Sequence, residues 1–247
     1  MKFVFKNFGF TLAEVLITLS IIGIIAAMTI PPLITNQRNK KFESNIKKVY
    51  SELNQVSKLY LNDNEETIPF ALSANHTDLK TILLTYVKGI TVINSDKWDS
   101  TEDDGSSSAY VYNRYTNFKG TKVKQICDDY GTHGTLGGIS LAWNNNPVMG
   151  DNGPIICVDL NAEDKPNVVG IDYFLFIFTN DGTLIPMGME HPQNSTSGNL
   201  AVNFFLSKDY CGANTNNYSC AYWAILDKNP NGAGTYWRDY LGKKLYK

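Results

Sequence analysis

The sequence predicts an α+β protein in which one long N-terminal helix, part membrane-spanning and part amphipathic, packs on an antiparallel β-sheet. Three observations carry this prediction. An apolar run whose only charge is Glu14 extends from Phe10 to Ile30. Phe42, Ile46, Val49, Leu53, Val56 and Tyr60 then recur at alternating spacings of four and three, the stripe of an amphipathic helix. From Val123 onward the apolar residues gather into short β-branched or aromatic runs bounded by Gly, Pro and Asn, which is the pattern of strands.

The apolar run comes first in the chain. Phe10 to Ile30 is 21 residues, which at about 1.5 Å per residue spans about 31 Å, the thickness of a hydrocarbon core. A secretory signal has a shorter apolar core with its cleavage site beyond it. Here the cleavage cue, Gly9, precedes the run, so the run stays in the mature protein. A carboxylate inside a membrane segment costs about 2.5–3.5 kcal/mol on insertion scales and points to function; the bland alternative is a side chain near the helix end reaching headgroups. A cut after Gly9 would give Phe10 a new amino group one helical turn from Glu14. A neighbouring subunit, shifted along the axis, would then bring its own amine to that carboxylate.

Gly9-Phe10-Thr11-Leu12-Ala13-Glu14, the apolar run and Pro31 together resemble the class III signal of type IV pilins and type II secretion pseudopilins. The resemblance covers about residues 6–35. Ala13 stands where a larger aliphatic is common, and no basic residue directly precedes Gly9, although Lys2 and Lys6 lie upstream. The resemblance implies a prepilin peptidase that cuts between Gly9 and Phe10 and N-methylates Phe10. It implies that Glu14 guides docking among pilin or pseudopilin subunits in a helical fibre, built on an inner-membrane assembly platform. It also implies the pilin-like fold. The expected organisation is a leader over 1–9, a membrane and assembly helix over 10–30, its amphipathic continuation over 31–61, and a globular domain over 62–247. The leader and the cysteines place the N-terminus in the cytoplasm and the domain outside the inner membrane. The five Lys/Arg after the span oppose that orientation under the positive-inside rule.

Pro31 and Pro32 remove two backbone donors and are expected to bend or locally open the helix. The stripe from Phe42 to Tyr60 then packs on the domain; it lasts under three heptads, too short for a coiled coil. Asn62-Asp63-Asn64-Glu65-Glu66 ends the helix. Thr77-Asp78 before Leu79, Ile82 and Leu83 reads as an N-capped short helix ending at Gly89. Asp99–Ser108 is acidic, rich in serine and devoid of large apolar residues, a surface loop. Strands are expected at Ile139–Trp143, Ile155–Leu160, Asp172–Thr179 and Thr183–Met187, with Asn180-Asp181-Gly182 as a hairpin turn. Tyr173–Phe178 is apolar throughout and is expected to be a central strand covered on both faces.

Charge divides the chain. Residues 1–61 carry 8 Lys/Arg and 3 Asp/Glu, net +5; residues 62–247 carry 14 and 21, net -7. An acidic domain argues against nucleic acid. The basic segment Arg38, Lys40, Lys41, Lys47 and Lys48, just past the apolar run, is placed to meet lipid phosphates. Cys127, Cys157, Cys211 and Cys220 form no C-x-x-C pair and have no histidine at ligand spacing, which disfavours zinc. In an exported domain an even number suggests two disulfides. Of three connectivities, Cys127–Cys157 with Cys211–Cys220 closes two local loops; four free thiols are the alternative.

Asp159, Asn161 and Asp172, within the patterned segment Val158–Asp172, offer side-chain oxygens to a structural Ca²⁺. The same Asx, Pro and Gly residues are those of an ordinary tight turn, the preferred reading, with no cofactor otherwise expected. The segment from Cys211 to the C-terminus is rich in aromatics, with packing preferred over partner contacts. His76, His133 and His191 are far apart, and no Ser or Cys has an evident base. Gly131–Gly138 lacks the lysine and the strand-to-helix setting of a phosphate loop and reads as a flexible turn. The sequons at Asn75, Asn194 and Asn217 are of a kind that arises by chance. The functional expectation is therefore a non-enzymatic subunit, processed and assembled into a type IV pilus or type II secretion pseudopilus. The alternative is a minor pilin whose domain grips a surface, DNA or a secreted protein.

Overall fold

The computed structural model describes residues 9, 11–94, 114–123, 126–127, 132–144, 153–162, 164–189, 210–212 and 215–244. It divides into two compact units, residues 1–41 and 42–247. Helix α1, Leu12–Asn64, contributes to both.

In the first unit α1 carries its apolar side chains outward. Leu12, Leu16, Ile17, Leu19, Ile22, Ile25 and Met28 are all exposed. The prolines do not interrupt it: Pro31 and Pro32 lie inside the helix. Their missing N–H groups withdraw the main-chain donors that the carbonyls of Ala27 and Met28 would otherwise have, and the turns on either side still carry the helix through.

In the second unit every member of the predicted stripe is buried, with Ile46 and Val49 at 0% exposure. The polar run after Leu61 stops α1. Asn64 is its last residue and Glu65 turns to φ +55°. Two short helices come next. Helix α2, Ile68–Ser73, starts with Pro69 in its first turn, where a missing N–H costs nothing. Its six residues are too few to show a period, and no pattern in the sequence predicts it. Helix α3, Leu79–Tyr86, begins where the Asp78 side chain accepts from Thr81 N at 2.7 Å, and buries Leu79, Ile82 and Leu83. The chain turns at Gly89, φ +81°.

Among the described residues six strands form one antiparallel sheet: β1 Thr91–Asn94, β2 Thr132–Leu136, β3 Ile139–Asn144, β4 Ile155–Asp159, β5 Tyr173–Phe178 and β6 Leu184–Pro186. Their spatial order is their sequence order. One expectation needs correction. Thr132–Leu136 is not part of a flexible turn but strand β2, and Gly137-Gly138 makes a two-residue turn to β3 with φ +58° and +80°. That pair of positive φ angles matches a right-twisted hairpin, and paired glycines accept it without strain. Strand β5 is an interior strand as expected, paired on one side with β4 and on the other with the three-residue β6, and all of its residues are buried. The Asn180-Asp181-Gly182 turn joins these two strands, with Gly182 at φ +76°.

The two faces of the sheet bury separate cores. Residues of β4 and β5 alternate between them, as a pleated strand requires. Ile156, Val158, Phe174, Phe176 and Phe178 join the α1 stripe, α2, α3 and the C-terminal aromatics. Ile155, Cys157, Tyr173, Leu175 and Ile177 join Tyr115, Val123, Cys127, Met187 and Tyr218. Disulfide Cys127–Cys157 lies in the second core, and Cys211–Cys220 holds the start of the C-terminal segment. That segment forms helix α4, Ala221–Leu226, and a π-helical turn, Tyr236–Tyr240, running into Leu241–Lys244. Tyr236, Trp237 and Tyr240 are buried, and Tyr222 and Trp223 are half-buried. The surface loop expected at Asp99–Ser108 lies outside the described residues.

Candidate functional site

The start of α1 is built by its own residues. Thr11 O accepts the first helical bond, from Val15 N at 3.2 Å. Thr11 Oγ1 accepts from Glu14 N at 3.2 Å, and Glu14 Oε2 accepts from both Thr11 N and Thr11 Oγ1 at 2.8 Å. This is a capping box: residue types Thr-x-x-Glu satisfy each other's end-of-helix donors. The negative side chain also lies at the positive end of the helix dipole. Glu14 Oε1 has no hydrogen-bond partner among the described residues. The lone charge singles out Glu14 in the sequence and leaves Thr11 unmarked, although the Thr-x-x-Glu spacing is there to read.

The hydroxyls in the rest of the apolar run are satisfied within the helix. The hydroxyls of Thr18, Ser20 and Thr29 donate to carbonyls one turn back, at 3.0, 2.7 and 2.9 Å. A hydroxyl so satisfied can face hydrocarbon without an unmet donor. By length and composition α1 is able to cross a membrane. Gly9 is exposed, and a Cβ built there would meet nothing within 4 Å. Phe10, Lys2 and Lys6 lie outside the described residues.

The β4–β5 loop is the other polar focus, and the structure brings Asp159 and Asp172 together there. Asp159 Oδ2 accepts from Tyr115 OH at 2.8 Å and Oδ1 from Asn161 N at 3.2 Å. Asp172 Oδ2 and Oδ1 accept from Asn167 N and Val168 N at 2.8 and 2.7 Å. Burial, then the neighbouring Asp159 carboxylate, push Asp172 up to about 7, against the pull of the Val168 and Asn167 amides. Burial and Asp159 likewise raise the Tyr115 hydroxyl well above its ordinary range. All four carboxylate oxygens thus receive a donor from the protein, while Asn161 Oδ1 and Asn167 Oδ1 are buried without one. Among the described residues no group of three or more His, Cys, Asp or Glu side chains converges on one point. The loop is also anchored from afar. Asn45 on α1 donates to Leu160 O at 3.2 Å, and Tyr236 OH to Gly170 O at 2.5 Å. Nothing local in the sequence announces Tyr115 or Tyr236 as partners across 44 and 66 residues.

His76 Nδ1 meets Glu66 Oε2 at 2.9 Å in an exposed pair. The side chain of His133 and the whole of His191 lie outside the described residues. A groove of about 370 Å³ between α1 and the end of α3 is lined by Glu52, Gln55, Val56, Leu59, Tyr86, Val87 and Lys88, with no Ser or Cys nucleophile. Asn217 is buried at φ +63° and donates to Gly212 O at 2.7 Å, which makes it a structural residue and no acceptor for a glycan.

An outward-facing apolar helix of spanning length, opened by a Thr–Glu box and followed by a separately cored α+β unit, is consistent with a prepilin-type precursor anchored in a membrane. Residues 5–30 match the model of the prokaryotic N-terminal methylation motif, which supports a place in the type IV pilin and pseudopilin family. The fold is pilin-like, a long N-terminal helix packed with an antiparallel sheet. The motif points to a structural subunit. No curated protein and no solved structure matches the chain.

Proposed function

We propose that this chain is inserted in the bacterial inner membrane with its N-terminus cytoplasmic, cut between Gly9 and Phe10, methylated on Phe10, and assembled with other pilin or pseudopilin subunits into a type IV pilus or type II secretion pseudopilus. The observation that carries this is Glu14: the Thr11 box holds one carboxylate oxygen and leaves the other, Oε1, for an incoming cation. The amine released on Phe10 by cleavage, in a neighbouring subunit, is the cation of the right depth. Pairing two charges in a dry fibre core gains far more than it would in water and sets the axial register. The test is fibre incorporation of Glu14→Ala beside wild type, and normal incorporation would sink the pairing. A reporter fused after Leu61 reads the orientation; cytoplasmic activity would sink the topology.

Two further readings each rest on one observation. Half-buried Tyr222 and Trp223, in edge contact at 5.3 Å on α4, are aromatics of the kind that anchor partners, and they support a minor-pilin binding role. The orphaned amide oxygens of Asn161 and Asn167 support a Ca²⁺ in the β4–β5 loop, beside the turn chemistry preferred there. Thermal melts with calcium and with chelator separate turn from ion: a rise of several degrees with calcium favours the ion, coincident melts the turn.

A further inference from the structure

We propose that Lys40 and Lys41 bind the phosphates of anionic phospholipid headgroups at the outer surface of the bilayer that α1 spans. The inference rests on the proposed membrane insertion and narrows the contact to two residues. The last outward apolar pair of the first unit is Leu33 and Ile34, 59% and 61% exposed. Lys40 and Lys41 come six and seven residues later, about 9–10 Å along the helix. The headgroup region extends about 5–8 Å beyond the hydrocarbon, and a lysine stem reaches back over that difference while its ammonium stays wet. Both side chains are exposed.

Pairing distinguishes them from Lys47 and Lys48. Lys47 Nζ lies 2.6 Å from Glu43 Oε1, and Lys48 Nζ lies 3.9 Å from Glu52 Oε1. Glu43 is three residues beyond Lys40 and is the acid best placed to neutralise it, but Lys47 takes it. Among the described residues no carboxylate pairs with Lys40 or Lys41. Two uncompensated ammonium groups side by side at headgroup depth attract anionic lipid, with about 1 kcal/mol per lysine, or about fivefold, as the usual scale.

The test uses the full chain in nanodiscs of equal phosphatidylglycerol and phosphatidylethanolamine, stripped in mild detergent, with retained lipids counted by native mass spectrometry. Wild type should retain the anionic lipid in excess. K40Q/K41Q should lower the anionic-to-zwitterionic ratio at least fivefold, K40R/K41R should restore it, and K47Q/K48Q should leave it near wild type. An unchanged ratio in K40Q/K41Q, or an equal fall in K47Q/K48Q, overturns the assignment. Insertion is scored separately by resistance to carbonate extraction. A chain that washes out refutes the membrane reading itself, whereas an inserted chain without lipid preference refutes only this contact.

Discussion

Glu14→Ala should leave the helix in the membrane and impair only fibre assembly, and the sign can be worked from the box at its start. The substitution deletes an acceptor that receives both Thr11 N and Thr11 Oγ1. Loss of a helix cap costs about 0.5–2 kcal/mol. Against this, it removes a carboxylate whose place in a span costs at most about 2.5–3.5 kcal/mol; Glu14 is only about 6 Å into the run from Phe10, so the actual relief is smaller. The two effects are of similar size and opposite sign, and insertion should change by no more than about 1–2 kcal/mol, in favour of the mutant if either way. Thr11→Val isolates the cap. It keeps the charge, loses the hydroxyl that bridges Glu14 N and Oε2, and should cost about 1 kcal/mol of helix start. Carbonate extraction measures insertion, and sheared-fibre yield against total subunit measures assembly. Glu14→Ala chains absent from the membrane fraction would refute the reasoning, because then the carboxylate would be serving insertion. Fibre yields equal to wild type would refute it from the other side.

Other outcomes rest on single contacts. Gly9→Ala should abolish processing, seen as an unshifted precursor band, without lowering the melting temperature of the domain, since its Cβ meets nothing within 4 Å. Tyr236→Phe should destabilise the domain by about 1–3 kcal/mol in urea, because the hydroxyl is the buried donor to Gly170 O; a change under about 0.5 kcal/mol would refute that role. Asp172, held at about 7 in the fold against about 3.9 in an unfolded chain, contributes stability that is fully present below about pH 4 and is lost as pH rises through 7. The stability of wild type relative to Asp172→Asn should therefore fall between about pH 4 and pH 7, and a flat difference would refute it.

Much of the fold is readable in the sequence because the informative patterns are local. The α1 stripe has a period, the Asp78 cap is adjacent to the helix it starts, and the β5–β6 turn is spelled by Asn-Asp-Gly. The misses have physical causes. Helix α2 is too short for a period, and β2, written Thr-His-Gly-Thr-Leu, has a glycine at its centre and draws its structure from pairing with β1 and β3. Glu14 is legible as a lone charge in an apolar run. The ties of Tyr115 to Asp159 and Tyr236 to Gly170 join residues that meet only once the chain is folded, and no spacing rule reaches them.

The ordering of the sheet has a consequence for making the domain. Each strand pairs with the next one along the chain, and at β2–β3 and β5–β6, joined by two and five residues, the pairings close short loops at small entropic cost. Such hairpins can zip early, yet the face bearing Phe174, Phe176 and Phe178 stays partly wet until the Phe42–Tyr60 stretch of α1 joins α2, α3 and the C-terminal aromatics over it. A secreted fragment that starts after this stretch would leave the part of that face under Ile46, Val49 and Leu53 uncovered and should precipitate. One that starts near Phe42, where the second compact unit begins, keeps its own lid and dispenses with the bilayer.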